Sequence, residues 1–141
     1  MIAHTLNMRS PLRTLDHLAI AVPDTEAALL IWRDRVGLPV LFSEVVNNGT
    51  VRLTHLDAGP VHLQLVEPLT PNHPLQDWLK QHGPGLHHVC FQVEDVGTAY
   101  AELPELGLPT AAAVHQGTQG KRALFLDRVA TQGVLVEVTG R

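Results

Sequence analysis

The sequence has little cysteine, no long apolar run and no excess of basic charge, and each absence excludes a class of protein. Its single cysteine, Cys90, excludes an internal disulfide and indicates a reducing compartment. No apolar stretch approaches the length that crosses a membrane, and residues 1–10 lack the apolar core of a signal peptide. The formal net charge of −4 at pH 7 provides no basic surface for nucleic acid or anionic lipid. We therefore expect a cytoplasmic protein that binds neither nucleic acid nor membrane.

The sequence does contain an internal repeat of about half its length. A histidine-bearing apolar strand, an acidic residue, an alanine-rich segment and a Gly-Leu-Pro triplet follow one another twice. The matching positions are His17 and His88, Asp24 and Asp95, Ala28 and Ala99, and the triplets at 37–39 and 107–109. All but the triplets keep one constant offset, and the triplets deviate by a single residue, so we infer a duplication whose halves meet at a site.

Apolar periodicity and turn residues predict strand, helix, strand and strand in each half. The predicted strands cover 15–22, 40–46, 50–56 and 61–67, and then 87–93, 111–115, 121–126 and 133–138. Asp24 and Asp95 are placed to cap the two helices, the second of which should be disturbed near Pro104. With 141 residues and 45% hydrophobic content, we expect one domain over 1–141, with modules at about 14–68 and 84–139 joined by a linker at 69–83.

Five segments in order resemble the vicinal-oxygen-chelate superfamily and, within it, the methylmalonyl-CoA epimerase family. They are residues 16–24, 64–69, 85–91, 120–122 and 133–137. The resemblance covers residues 14–139 and implies an α+β fold in which two βαββ modules form a curled mixed sheet around a metal site. It further implies that the metal ligands are His17, Gln64, His88 and Glu137.

The donor types in this set are chemically consistent with such a site. Two imidazoles, one carboxylate and one amide oxygen suit Co²⁺, Mn²⁺, Ni²⁺, Fe²⁺ or Zn²⁺ better than Ca²⁺. Two octahedral positions would remain open for a substrate with two neighbouring oxygens. The ion could then act as a Lewis acid while a proton is removed next to a carbonyl.

The sequence departs from these epimerases at the proton-transfer group, because Leu53 stands where some of them place a glutamate. A turn centred between Ala58 and Gly59 would pair Leu53 with Gln64 and His55 with His62 on one face. We therefore expect His55 to transfer the proton, with Glu44 as the other candidate base and Glu137 as a further catalytic carboxylate. The alternative is that His55 only hydrogen-bonds His62 or water.

Several other polar residues are expected to have ordinary roles. His87 should point away from His88 and be structural, Cys90 should act as packing, and Glu67 should be a strand-end group. The remaining histidines that carry no spacing signal are expected to be solvated: His4, His73, His82 and His115.

The function that fits best is a metal-dependent isomerase that epimerises methylmalonyl-CoA or a similar 2-substituted acyl thioester. A lactoylglutathione-lyase-like enzyme, or another small-acid isomerase or lyase on the same site, is the first alternative. A non-catalytic protein that binds a drug or other ligand is the alternative of another class. Since sheets of this kind have open edges that need cover, we expect a homodimer.

Overall fold

The computed structural model describes residues 10–141, which fold as two compact units. The N-terminal unit is His17–His87, and the C-terminal unit combines His88–Arg141 with residues 10–16. Each unit contains one strand-helix-strand-strand-strand set, which confirms the predicted α+β class with paired βαββ modules. Among the described residues, no helix combines the length and apolar character needed to span a bilayer.

The N-terminal unit is a four-stranded sheet with strand order β2-β3-β4-β1. Its strands are β1 (Leu15–Ala21), β2 (Val40–Val46), β3 (Val51–Asp57) and β4 (His62–Pro68). Its helices are α1 (Thr25–Leu29), which continues as a π-helical segment over Leu30–Arg35, and α2 (Pro74–His82). Strand β1 runs parallel to β4, whereas β2, β3 and β4 are antiparallel neighbours.

Side-chain alternation gives this sheet two different faces. On one face Leu56 and Leu65 pack against Leu29 of α1. On the other face Leu53 and Val66 pack with Leu75 of α2. This second face also carries the predicted ligands, and we call it the ligand face of the unit.

Helix α1 begins where the sequence predicts and is fixed to the sheet by a carboxylate. The Asp24 side chain accepts a hydrogen bond from the amide of Glu26, as an N-cap residue does. The Thr25 amide and hydroxyl both donate to Glu67, at 2.9 and 2.7 Å. Glu67 is thus a strand-end group, as predicted, and its carboxylate holds the start of the helix against β4.

The β3–β4 hairpin has a longer loop than predicted, and the proposed register is wrong by two residues. His55 lies opposite Gln64, and Leu53 lies opposite Val66. The loop is closed by the Ala58 amide, which donates to the Val61 carbonyl at 3.2 Å. Asp57 accepts from the Gly59 amide, and Gly59 has φ +93°, so the loop spans four residues rather than two. A register shift of two residues leaves each side chain on the same face of the sheet. His55 and Gln64 therefore share one face, as predicted.

The C-terminal unit repeats this plan with strand order β5-β8-β7-β6. Its strands are β5 (Gly85–Gln92), β6 (His115–Gln116), β7 (Arg122–Phe125) and β8 (Val136–Gly140), and its helix is α3 (Val96–Glu102). Strand β5 is parallel to β8, and the other pairs are antiparallel. One face packs Leu124 and Val138 against Val96 and Leu103 of the helical segment. The opposite face is the ligand face of this unit.

Two elements of the C-terminal unit depart from the predicted bounds. Helix α3 narrows to a 3₁₀ turn at Leu103–Leu106, as expected from Pro104. The predicted strand 111–115 is wrong in extent, because only His115–Gln116 joins the ladder, and Thr110 forms an isolated bridge with Leu126. Residues 128–134 form successive hydrogen-bonded turns, which delay the last strand to Val136.

Candidate functional site

The ligand face of the N-terminal unit buries three polar side chains side by side. His17 is 1% exposed, His55 is 1% exposed and Gln64 is 3% exposed. The rings of His17 and His55 meet edge to face with centroids 5.3 Å apart. Burying polar groups costs free energy unless they find partners, so such a cluster in an apolar sheet indicates a site or a hydrogen-bonded network.

His55 lies at the centre of that network. Its Nδ1 is 2.9 Å from Nδ1 of His62, and its Nε2 is 3.0 Å from Nε2 of Gln64. The ring also stacks on Phe42, with centroids 4.5 Å apart and an interplanar angle of 18°. The contact with His62 is the one expected if His55 is a hydrogen-bonding residue. Both ring nitrogens of His55 therefore face neighbouring side chains.

Glu44 supplies a carboxylate beside the leucine that replaces the expected acid. It lies directly opposite Leu53 across the β2–β3 ladder, and cross-strand partners share a face. Leu53 is 7% exposed and belongs to the apolar cluster under α2, whereas Glu44 is half-buried. The N-terminal ligand face therefore retains a carboxylate, carried by the neighbouring strand.

The ligand face of the C-terminal unit contains a carboxylate between two imidazoles. Oε1 of Glu137 is 3.2 Å from Nε2 of His88, and its Oε2 is 3.4 Å from Nε2 of His115. His88 and Glu137 are 8% and 9% exposed. Phe125 lies opposite Glu137 and stacks on His115, with centroids 5.2 Å apart. A nearly buried carboxylate requires compensating positive charge or hydrogen bonds, and here an imidazole nitrogen lies within 3.4 Å of each of its oxygens.

The prediction that His115 is solvated is wrong. Its side chain is only 32% exposed and contacts Glu137. The sequence held one indication of this contact, because His115 falls on a predicted strand that corresponds to β2 in the other repeat. The spacing of residues could not show the contact itself, because β6 is only two residues long.

The other histidines predicted to be solvated have structural contacts, except His4, which lies outside the described residues. His73 caps α2 by accepting from the Leu75 amide at 3.0 Å. His82 is exposed, as predicted, and stacks on Trp78 with ring centroids 4.6 Å apart. His87 meets the edge of Trp78 with centroids 5.0 Å apart, in agreement with its predicted structural role.

Cys90 is buried packing, as predicted. It is 0% exposed and lies opposite Glu137 in the β5–β8 ladder. Burial and the nearby Glu137 carboxylate raise the pKa of the Cys90 thiol far above its usual range. The raised pKa keeps the thiol protonated, which argues against a role as a nucleophile.

The donors on each ligand face fit a divalent ion. Each unit buries one pair of predicted ligands, an imidazole with an oxygen-bearing side chain: His17 with Gln64 and His88 with Glu137. Two ligand atoms that lie about 2.1 Å from one ion at a right angle are separated by about 3 Å. The 3.2 Å between His88 Nε2 and Glu137 Oε1 matches that separation.

The chain is similar to known proteins over nearly its whole length. The uncharacterized protein YqjC of Bacillus subtilis is 34% identical over 88% of this chain and 89% of its own. The ethylmalonyl-CoA/methylmalonyl-CoA epimerase of Cereibacter sphaeroides is 32% identical over 88% of this chain and 95% of its own. A variant of Streptomyces coelicolor methylmalonyl-CoA epimerase, solved in complex with 2-nitronate-propionyl-CoA, superposes with a TM-score of 0.82. That structure is 31% identical and covers 92% of this chain and 97% of its own.

A family profile adds the broader assignment. It matches residues 16–125, which include all but the first residue of β1, the strands from β2 to β7 and three of the four predicted ligands. The matching proteins of Mus musculus and Cereibacter sphaeroides are named as epimerases, which are isomerases. On this match, the chain belongs to the glyoxalase/bleomycin resistance protein/dioxygenase superfamily.

Proposed function

We propose that this protein is a divalent-metal-dependent epimerase of methylmalonyl-CoA or of a closely related 2-substituted malonyl thioester. The observation that carries the proposal is the paired donor set, since the ligand face of each unit buries a predicted imidazole ligand and a predicted oxygen ligand, His17 with Gln64 and His88 with Glu137. The similarity to an epimerase of ethylmalonyl-CoA and methylmalonyl-CoA supports the substrate class.

In this proposal the ligands are His17, Gln64, His88 and Glu137. The mixed nitrogen and oxygen donors select Co²⁺, Mn²⁺, Ni²⁺, Fe²⁺ or Zn²⁺. A bound divalent ion would act as a Lewis acid that stabilises the negative charge developing on the substrate carbonyl. The remaining chemistry belongs to protein side chains.

Epimerisation requires one group to remove the Cα proton and another to return a proton to the opposite side of the planar enolate. Glu44 is the base we favour, because it is a half-buried carboxylate on the ligand face of the N-terminal unit. His55 remains the alternative, but its two ring nitrogens already contact His62 and Gln64. Since a general base must lie within hydrogen-bond reach of the proton that it takes, these contacts weigh against His55.

Apolar side chains flank Glu44 on this face. Leu53 lies opposite it, and Val46 and Val51 form the next pair on that face along the same strands. Glu44 is therefore the carboxylate that lies beside Leu53, the position at which a carboxylate was expected.

The test is solvent hydrogen exchange into methylmalonyl-CoA. Protein reconstituted with Co²⁺ should incorporate deuterium at Cα from deuterium oxide and equilibrate the two epimers, because deprotonation precedes reprotonation. Chelator-treated protein is the matched control and should lose both activities.

The outcome of this experiment also separates the competing functions. Conversion of a glutathione hemithioacetal without Cα exchange in methylmalonyl-CoA would assign the protein to the lactoylglutathione-lyase-like alternative. Absence of both reactions in protein with a full equivalent of metal, together with tight binding of a drug, would assign it to the ligand-binding alternative.

A further inference from the structure

We propose that His55 is a positioning residue that fixes the Gln64 side-chain amide so that its oxygen is available to the metal. This inference rests on the proposed function and adds to it a specific hydrogen-bond chain, His62–His55–Gln64. All three side chains belong to the N-terminal unit, on the facing strands β3 and β4.

The direction of the hydrogen bonds follows from the atoms in contact. The nitrogen of a glutamine amide can only donate, so Nε2 of Gln64 donates to Nε2 of His55 across their 3.0 Å contact. Nε2 of His55 must then lack a proton, and a neutral ring carries its proton on Nδ1. That Nδ1–H donates to Nδ1 of His62 across 2.9 Å.

This direction matters because glutamine binds a metal ion through its oxygen, not through its amide nitrogen. If the amide were rotated by half a turn, Oε1 of Gln64 would accept a hydrogen bond from His55. The amide nitrogen would then occupy the position from which the oxygen is available to the metal. His55 in the Nδ1–H form prevents that rotation, since its Nε2 can only accept. A neutral imidazole in one tautomer thus selects the ligating orientation of the amide.

The position of His55 is itself fixed by packing. The ring is 1% exposed and lies flat against Phe42 on the edge strand β2. Rotation about its side-chain bonds would break the stack and both hydrogen bonds together. Three side chains therefore form one row across the neighbouring strands β2, β3 and β4, namely Phe42, His55 and Gln64.

In the other repeat an imidazole also stacks on a phenyl ring beside the ligand of the last strand, but in a different register, because His115 pairs with Ala123 in the β6–β7 ladder. There Phe125 lies opposite Glu137, and His115 stacks on it from the edge strand at an interplanar angle of 17°. His115 contacts Glu137 directly, at 3.4 Å. An imidazole on a phenyl ring next to the ligand of the last strand thus occurs in both units. This recurrence indicates a function in ligand orientation rather than a local accident of packing.

The first test is the tautomer of His55 in the intact protein loaded with Zn²⁺, read from imidazole nitrogen-15 NMR shifts. His55 should show a protonated Nδ1 and an unprotonated Nε2, and its signals can be assigned by their loss in His55→Gln. A protonated Nε2 would overturn the proposal, because it would place the oxygen of Gln64 on His55. No destabilising variant is needed for this measurement.

The second test is Zn²⁺ affinity in two variants at the same position. His55→Leu removes the acceptor and should weaken Zn²⁺ binding by about 10-fold or more, the usual scale for partners of ligands. His55→Gln keeps an acceptor oxygen and should restore affinity close to that of the wild-type protein. His82→Leu, an exposed histidine on α2, is the matched control and should leave binding unchanged.

The results distinguish this inference from the proposed function. Wild-type protein that binds no Zn²⁺ would refute the metal-dependent function, while the NMR measurement in the metal-free protein would still decide the Gln64 orientation. Wild-type protein that binds Zn²⁺ with the same affinity as folded His55→Leu would refute the positioning role alone.

Discussion

Glu44 and Leu53 form a cross-strand pair between β2 and β3, which places a half-buried carboxylate beside a buried leucine. Directly opposite residues in an antiparallel pair project on the same side of the sheet. Strand β3 has Leu53 where a carboxylate was expected, and β2 places the Glu44 carboxylate on the same face. Under the proposed function, Glu44 rather than His55 is therefore the expected base.

Replacing Glu44 by glutamine should remove the base without changing the shape of the site. We expect kcat for epimerisation to fall by ~10²-fold or more, the usual scale for loss of a general base. Metal content, measured by elemental analysis, should stay at the wild-type level.

His55→Gln is the paired control for that prediction. It should retain most of the turnover, because it keeps an acceptor for Gln64. If His55→Gln loses turnover and Glu44→Gln does not, the base is His55 and not Glu44.

Metal removal should destabilise the protein. A ligand that binds only the folded state stabilises it by mass action, so EDTA should lower the melting temperature of freshly purified protein. The His88→Ala variant should show no EDTA effect and should hold less metal. Full metal content in a His17→Ala/His88→Ala double variant would contradict the ligand assignment.

His115 should contribute to metal binding through Glu137. Its Nε2 lies 3.4 Å from Oε2 of Glu137, so His115→Ala should leave that oxygen without this partner and weaken Zn²⁺ binding by about 10-fold. His115→Gln keeps a donor and should lose less affinity. Equal dissociation constants for His115→Ala and the wild-type protein would exclude this role.

Cys90 should not react with thiol reagents in the folded protein. Its pKa is raised by burial and by Glu137, so the thiolate is negligible at pH 8, and labelling should appear only after unfolding in guanidinium. A raised folded pKa also means that stability is lost as pH rises above the unfolded value of about 8.5. Cys90→Ala should show a shallower alkaline loss of stability than the wild-type protein.

His73 should make the stability of α2 depend on pH. Burial lowers the pKa of His73, and its unprotonated Nδ1 accepts from the Leu75 amide. A group with a depressed folded pKa that must stay neutral contributes stability above its unfolded pKa of about 6.5, and the contribution is lost as pH falls. The urea concentration at the midpoint of unfolding should therefore decrease as the pH is lowered from about 7 to about 5.

His73→Asn is the matched variant for this measurement, because asparagine caps a helix at any pH in this range. The difference between the two urea midpoints should grow towards acid pH, since all other histidines are common to both proteins. Parallel midpoints would show that the cap does not titrate.

The sequence alone determined the plan of the fold and the chemical type of the site. The constant offset between His17 and His88 revealed the duplication, and Asp24 predicted the start of α1, which the structure confirms. Both are local or periodic signals, which need no knowledge of distant contacts. The cytoplasmic location and the homodimer, which have no such local signal, stay predictions.

Tertiary structure decided which side chains face one another. The turn sequence 57–60 suggested a two-residue loop, but the four-residue loop shifted the register and placed His55 opposite Gln64. The contact between His115 and Glu137 depends on a β-ladder whose edge strand is too short to leave a periodic pattern. Register and edge pairing are fixed by loop geometry and by packing across the sheet, and neither is encoded in the spacing of residues along one strand.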